Sequence, residues 1–243
     1  MGGVIYADKW LKAFQDEFRT LGGVIHENEE VQGHSENLSD GSITVSTVTQ
    51  TYTSKKVVYT VGCWITKMFP NVNFEIKPTS LAVCYWNPKP EQHHLVNEKN
   101  FPVFIVKDTE NQEEFLGLPD VDYPGKLKFL TDDGDALTAE LGHPDKQSQE
   151  LIDMPARFIK KHIPVVDGEK PFTVERCKYT SSPDHHYVIG PISKEHPNIL
   201  VGGCGSGSGF KVAPGIGRAL AEMAAGREKT TVDVTFFSPR RFD

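Results

Sequence analysis

The run Asn198-Ile-Leu-Val-Gly-Gly-Cys-Gly-Ser-Gly-Ser-Gly-Phe-Lys211 constrains the fold of this chain more than any other. It opens as a short apolar segment, passes five glycines between Gly202 and Gly209, and leads into a helical pattern. Glycine lets backbone approach a neighbour where a Cβ would clash. A helix N-terminus behind such a loop presents unpaired N–H groups and partial positive charge, which suit an anion. Lys211 adds a full positive charge at the junction. The pattern predicts a strand–turn–helix unit facing an anionic or electron-accepting ligand. A tight turn with no ligand satisfies the same letters.

At 243 residues the chain can bury one large core or two smaller ones. The net charge of -7, with no long basic tract, argues against nucleic acid as a partner. No apolar run approaches the roughly 20 residues of a membrane span. Charges interrupt every apolar stretch of residues 1–30, so no signal-peptide pattern is present. Cys63, Cys84, Cys177 and Cys204 are widely spaced and form no C-x-x-C. They suggest neither a disulfide framework nor a zinc site, and a reducing compartment is the default.

The hydrophobic pattern divides the chain into three stretches. In residues 1–63, Trp10, Leu11, Phe14, Phe18 and Leu21 line one face of a helix over Ala7 to Leu21, closed by Gly22-Gly23. Val24 to His26 and Lys55 to Gly62 read as strands, the second buried. Ser42 to Thr53 reads as strands around the Asp40-Gly41 turn signal. Residues 64–172 hold most of the prolines and β-like runs at Leu81 to Trp86, Val103 to Val106, Phe115 to Leu118 and Lys126 to Leu130. A helix is expected over Ser148 to His162, with Pro155 kinking or restarting it. Residues 173–243 return to an α/β pattern. A strand is expected over Phe172 to Tyr179, another at Tyr187 to Ile189, then Ile199 to Val201 and the glycine loop. A helix over Val212 to Ala225 follows, with Pro214 in its first turn and Gly226 as its cap. The fold class is mixed α/β, with a β-rich middle block inserted between two α/β pieces.

Several residues could carry chemistry. Arg176 and Lys178 flank Cys177, and nearby cations lower a thiol pKa. Such a thiolate could attack an electrophile or hold a covalent cofactor, although free Cys is commonly a small buried hydrophobe. Lys126 and Lys128 share a strand face, which could point into a site or simply be solvated. His93-His94 and His185-His186 are adjacent pairs whose side chains diverge on a strand, so no metal site is expected. Asp132 to Asp135 lacks the spacing of a calcium loop. No Gly-x-Ser-x-Gly elbow supports a serine hydrolase, since Gly207 stands at the centre of the Gly205 to Gly209 run, and no P-loop occurs.

Taken in order, these motifs resemble the monomeric sarcosine oxidase family, in particular its peroxisomal sarcosine/L-pipecolate oxidase branch. The markers are Gly3 to Asp8, Val58-Tyr-Thr-Val-Gly-Cys-Trp64, Cys84-Tyr-Trp86, Gly117-Leu-Pro119, Tyr123-Pro-Gly125 with Lys128, Cys177-Lys-Tyr-Thr180, Pro183-Asp184 and Gly205-Ser-Gly-Ser-Gly-Phe-Lys211. Each is weak alone; their shared order and spacing span nearly the whole chain.

The resemblance implies an FAD-dependent oxidoreductase that oxidises the C–N bond of a secondary amine or imino acid with O₂, giving imine and H₂O₂. It assigns 1–63 and 173–243 to parts of a Rossmann-like FAD-binding domain, and 64–172 to an antiparallel β-rich substrate domain. FAD would be held covalently through Cys177, with Gly62, Trp64, Gly205, Ser206, Gly207, Ser208, Gly209 and Phe210 as further cofactor-binding positions. Lys128 and Lys211 would be the catalytic residues. Lys128 would assist reaction with oxygen, and Lys211 would hold a substrate carboxylate beside the flavin. That moves the glycine loop from phosphate cradle to a wall of the flavin ring. The implied partners are a small amino-acid-like amine and O₂, with no nucleic acid, no membrane and a monomeric state. The compartment is peroxisomal or cytoplasmic, since Arg-Arg-Phe-Asp243 is not a Ser-Lys-Leu-like signal.

The chain departs from the family in four respects. It begins at what resembles mid-chain, without the strand, Gly-x-Gly-x-x-Gly and helix that grip the pyrophosphate; about 30 residues of βαβ unit is the minimum difference. Leu116 stands where the family has an active-site tyrosine, and Asp132 and Ser208 where it has histidines. An anionic Asp132 would oppose a carboxylate substrate. The alternative function is a non-catalytic binding protein of the same ancestry that has lost flavin.

Overall fold

The computed structural model describes residues 3–37, 39–72, 75–138 and 140–242. Asp243, in the run read for a targeting signal, lies outside them. The chain forms two compact units, one of Met1–Tyr6 with Pro78–Tyr179, the other of Ala7–Lys77 with Thr180–Asp243. The first is β-rich and the second mixed α/β, in keeping with the expected class.

The α/β unit opens with helix α1, Ala7–Thr20. Gly22, at φ +87°, ends it in a Schellman motif. The Gly23 N–H bonds Phe18 O at 2.8 Å and the Gly22 N–H bonds Arg19 O at 3.0 Å. The apolar stripe of α1 is present but not covered: Trp10, Leu11, Phe14 and Phe18 are each about half exposed. Strands β1 (Val31–Glu36), β2 (Ile43–Thr47) and β3 (Thr51–Ser54) form an antiparallel sheet in that order. The Asp40-Gly41 turn joins β1 to β2; the Ser42 N–H donates to Asp40 Oδ1 at 2.9 Å, and Gly41 takes φ +68°.

Two expectations fail in this unit for want of ladder partners. Val24 to His26 forms no strand, and Val24 is largely exposed. The run from Lys55 shortens to β4, Val57–Tyr59, which among the described residues pairs on one side, with the strand at Ile199–Gly203, and leaves Val58 exposed. Gly62–Trp64 then forms a 3-10 turn, and α2 covers Ile65–Met68.

The β-rich unit carries β5 (Lys77–Trp86), β6 (Phe104–Asp108), β7 (Glu113–Leu118), β8 (Leu127–Thr131), β9 (Gly134–Ala136), helix α3 (Glu150–His162) and β10 (Thr173–Ser181). The sheet order is β10-β5-β8-β7-β6, with β9 also on β5. Helix α3 runs through Pro155 without a restart, and the ring is buried on the same helix face as Leu151 and Ile159. One apolar cluster gathers Trp86, Phe115, Leu127, Phe129, Leu151 and Ile159. The buried indole of Trp86 satisfies its N–H on Phe129 O at 2.8 Å. A second cluster joins Leu81, Val83, Tyr85 and Leu130 to Leu116, Tyr123, Cys177 and Tyr179.

The chain completes the α/β unit with β11 (Val188–Pro191), β12 (Ile199–Gly203) and α4 (Gly209–Ala224). β12 pairs antiparallel with β11 and parallel with β4, Leu200 opposite Val58. β4 and β12 are thus neighbours although residues 78–179 of the β-rich unit lie between them in sequence. Helix α4 starts three residues before the expected Val212, so Pro214 is its sixth residue rather than part of its first turn. It packs through Ala219 and Leu220 onto Leu200. A Cβ at Gly202 would fall 2.4 Å from Leu220 Cδ1, so the close helix–strand approach requires glycine there. Gly226, at φ +73°, ends α4 as expected.

Candidate functional site

In the β-rich unit the expected site residues meet on one face of the sheet. Alternation along β10 puts Glu175, Cys177 and Tyr179 on the same side. Cys177 packs in the cluster with Leu81, Val83, Tyr85, Leu116 and Leu130. Tyr85 lies opposite Lys128 in the β5–β8 ladder, and Leu118 lies opposite Lys128 from β7.

The surroundings of Cys177 differ from the sequence expectation. Burial pushes its thiol up, and the cation that partly offsets this is Lys128. Arg176 points away, donating to Pro144 O at 2.7 Å. A flanking residue on a strand faces the opposite side of the sheet, so sequence adjacency does not supply the charge.

Lys128 is held. Its Nζ donates to Asp122 Oδ2 at 2.8 Å and lies 5.6 Å from the centroid of the Tyr85 ring. The Tyr85 hydroxyl reaches Asp122 Oδ2 at 3.0 Å and Glu175 Oε2 at 3.3 Å. Tyr123 donates its hydroxyl to the other oxygen of Glu175, and its ring meets Tyr85 edge-on at 4.6 Å. Partial burial pushes the Asp122 carboxyl up, but the hydrogen bond and charge of Lys128 outweigh it, so the group is held below its usual range. Tyr85, buried between two carboxylates, has its phenol pushed well up and stays a donor. Lys126 is engaged elsewhere, 2.7 Å from Asn87 Oδ1 and over the Phe172 ring.

Sequence reasoning does not single out Asp122, Tyr85 or Glu175. The sequence signal for Asp122 is its place in the Pro119 to Gly125 turn that returns the chain to Lys128. Of the positions that depart from the family pattern, Leu116 lies opposite Leu130 in this same cluster. Asp132 acts on Tyr179, whose phenol burial and then this carboxylate push up to about 12.

In the α/β unit the glycine loop is a strained turn ahead of α4. Cys204 at φ +55° and Ser206 at φ +44° lie in the left-handed region, followed by Gly207 at φ +78°. Cys204 Sγ is buried against Thr180 O at 3.5 Å, and the Ser206 N–H bonds the same carbonyl at 2.9 Å. A Cβ on Gly205 would meet the Gly209 Cα at 3.1 Å. Ser208 precedes the helix without capping it; its hydroxyl lies 2.9 Å from the Tyr187 hydroxyl. Phe210 and Lys211 are exposed on the first turn of α4, and Lys211 makes no ion pair among the described residues.

A second feature of this unit is a cavity of about 980 Å³ lined by Glu30, Val31, His34, Gly62, Trp64 and Lys67. Gly62 adopts φ +56° with nothing within 4 Å of where a Cβ would stand, and Trp64 is partly exposed. Within the α/β unit, the strained glycine loop and the open space at Gly62 leave backbone that a planar ligand could approach.

The chain belongs to the FAD dependent oxidoreductase (DAO) family, whose model matches residues 1–223. It is 58% identical over 243 residues to a putative sarcosine oxidase of Caenorhabditis elegans, covering 100% of this chain and 62% of that protein. It is 32% identical over 227 residues to the peroxisomal sarcosine oxidase of Homo sapiens, covering 92% of this chain and 56% of that one. The chain therefore spans 62% and 56% of the length of these two relatives. Among solved structures, the L-proline dehydrogenase of P. horikoshii superposes with a TM-score of 0.77 at 18% identity, over 95% of this chain and 58% of that one. The amino acid oxidase NikD in its open form superposes with a TM-score of 0.75, also at 18% identity, over 94% and 58%. At that identity the likeness is one of fold.

Proposed function

We propose that the chain is the substrate-facing and flavin-facing part of an amine oxidase that converts a secondary amine or imino acid and O₂ to imine and H₂O₂. The observation that carries this reading is the shared sheet face of Cys177 and Lys128, two residues the family pattern assigns to the flavin. The names of the sarcosine oxidase relatives support the substrate class. FAD, when bound, accepts the electron pair and proton equivalent of the C–H bond beside nitrogen and returns both electrons to O₂.

The chain's own residues have distinct roles. Cys177 tethers the cofactor through its thiol. Lys128 supplies a fixed positive charge where oxygen gains electrons, which stabilises negative charge developing there. Lys211, at the helix N-terminus, binds the substrate carboxylate, and the dipole of α4 adds to its field. Gly205, Ser206, Gly207, Ser208, Gly209 and Phe210 wall the flavin, while Gly62 and Trp64 border the cavity for another part of it. The substrate is a small amino-acid-like amine, the enzyme a monomer, and its compartment peroxisomal or cytoplasmic, the former following the peroxisomal relatives.

The visible spectrum of the purified chain, with the mass of the tryptic peptide holding Cys177, tests this. Flavin absorbance with an FAD adduct on that peptide supports the oxidase. A colourless, folded protein with a free Cys177 favours the second reading, a non-catalytic relative, which Leu116, Asp132 and Ser208 already suggest.

A further inference from the structure

We infer that Asp122 is the positioning residue for Lys128, with Tyr85 bracing Asp122 against Glu175; the functional consequence rests on the proposed oxygen role of Lys128. Three observations carry it. The carboxylate lies 2.8 Å from the ammonium, and the Lys128 side chain is 25% exposed while that of Asp122 is 43% exposed. An ion pair so close to water contributes little to stability, so its value lies in where it puts the charge. The same carboxylate oxygen takes the Tyr85 hydroxyl, and Tyr85 is fixed in the core and bonded in turn to Glu175. Asp122 is therefore anchored from the sheet rather than left to follow the lysine. Without it, the ammonium keeps the weaker contact with the face of Tyr85, at 5.6 Å from its centroid. A lysine has a flexible four-carbon stem and needs such an anchor to hold one place.

The arrangement separates two jobs. Lys128 carries the charge, and Asp122 decides its location on the face that also bears Cys177. In the flavin-loaded protein, loss of Asp122 lowers kcat/KM for oxygen while leaving KM for the amine little changed, and Asp122→Glu restores part of the loss.

The direct test needs no flavin. The full chain is acylated under limiting reagent at pH 8, and each lysine is followed by peptide mass spectrometry. Asp122→Ala is expected to raise the rate at Lys128 by about two- to five-fold, the factor that a pair of this exposure is worth. Asp122→Glu is expected to restore protection, and Tyr85→Phe to give a smaller rise. Lys126, held by Asn87, is the internal reference and stays unchanged. An unchanged rate at Lys128, or equal rises at Lys126 and Lys128, overturns the inference. Lys128→Met in the flavin-loaded protein separates the two readings. Normal reoxidation there removes the oxygen role and leaves the positioning result standing. Slow reoxidation with Lys128 still protected in Asp122→Ala removes the positioning role alone.

Discussion

Lys128, not the neighbouring Arg176, is the side-chain cation that works against burial at Cys177. Burial raises the thiol, and the ammonium across the sheet lowers it part of the way back. Lys128→Met removes the lowering influence, so the thiolate fraction falls. Alkylation of Cys177 by iodoacetamide at pH 8 is expected to slow. Cys63, Cys84 and Cys204 are buried and serve as references. An unchanged rate at Cys177 would show that the two groups do not communicate.

This pair also marks what is legible in the sequence and what is not. Motif order picks out Cys177, Lys128 and the glycine loop, because each is a local pattern. The charge environment of Cys177 is not legible, because residues adjacent on a strand face opposite ways while partners come from other strands. Tyr85 meets Lys128 through ladder register, which follows from the pairing of β5 with β8, while Asp122 reaches it from the turn ahead of β8. Helices are legible from periodicity and glycine caps. The backbone of Val24 to His26 is not, because a strand exists only where a partner completes its ladder.

Acid stability of the α/β unit should depend on two carboxylates. Asp184 accepts from Arg241 Nε at 2.7 Å and Nη2 at 2.9 Å, and from Ser182 Oγ at 2.7 Å. These contacts, that of Arg241 first, hold its carboxyl well below the ordinary 3.8. Glu222 is pushed from 4.5 to about 2, chiefly by the Thr231 N–H and hydroxyl, each at 2.7 Å. Both folded values lie below the unfolded ones. The stabilisation is therefore complete above about pH 5 and is lost as pH falls through the folded values. Thermal scans should give a Tm that drops steadily below about pH 4.5, and an Asp184→Asn/Glu222→Gln variant should start lower at pH 7 and drop less steeply. Parallel curves for the two proteins would rule these groups out.

Two neighbouring glycines of β12 should respond unequally to the same change. A methyl at Gly202 meets Leu220 Cδ1 at 2.4 Å, and Leu220 is buried. A methyl at Gly203 meets nothing within 4 Å. Gly202→Ala is expected to cost about 1–3 kcal/mol through overpacking. Gly203→Ala should stay within about 0.5 kcal/mol of the parent. Urea unfolding of the two variants checks this; equal costs would mean that α4 does not rest on Gly202.

The last prediction concerns α1, whose apolar stripe has the spacing of a core helix while its side chains remain half exposed. Transfer free energy follows the area removed from water, so Phe14 contributes far less than its size suggests. Leu200 is 1% exposed and packs against Leu220 and Ala219 of α4. Leu200→Ala deletes buried methyl groups and leaves a cavity, which costs about 2–5 kcal/mol. Phe14→Ala, at 52% exposure, should cost less than about 1 kcal/mol in the same unit. Trp10, Leu11, Phe14 and Phe210 together line an open apolar groove, so replacing Phe14 should also lower the binding of a hydrophobic dye, read by its fluorescence. Urea midpoints and dye fluorescence read the two effects separately. A loss at Phe14 as large as that at Leu200 would mean that the helix face is covered in solution.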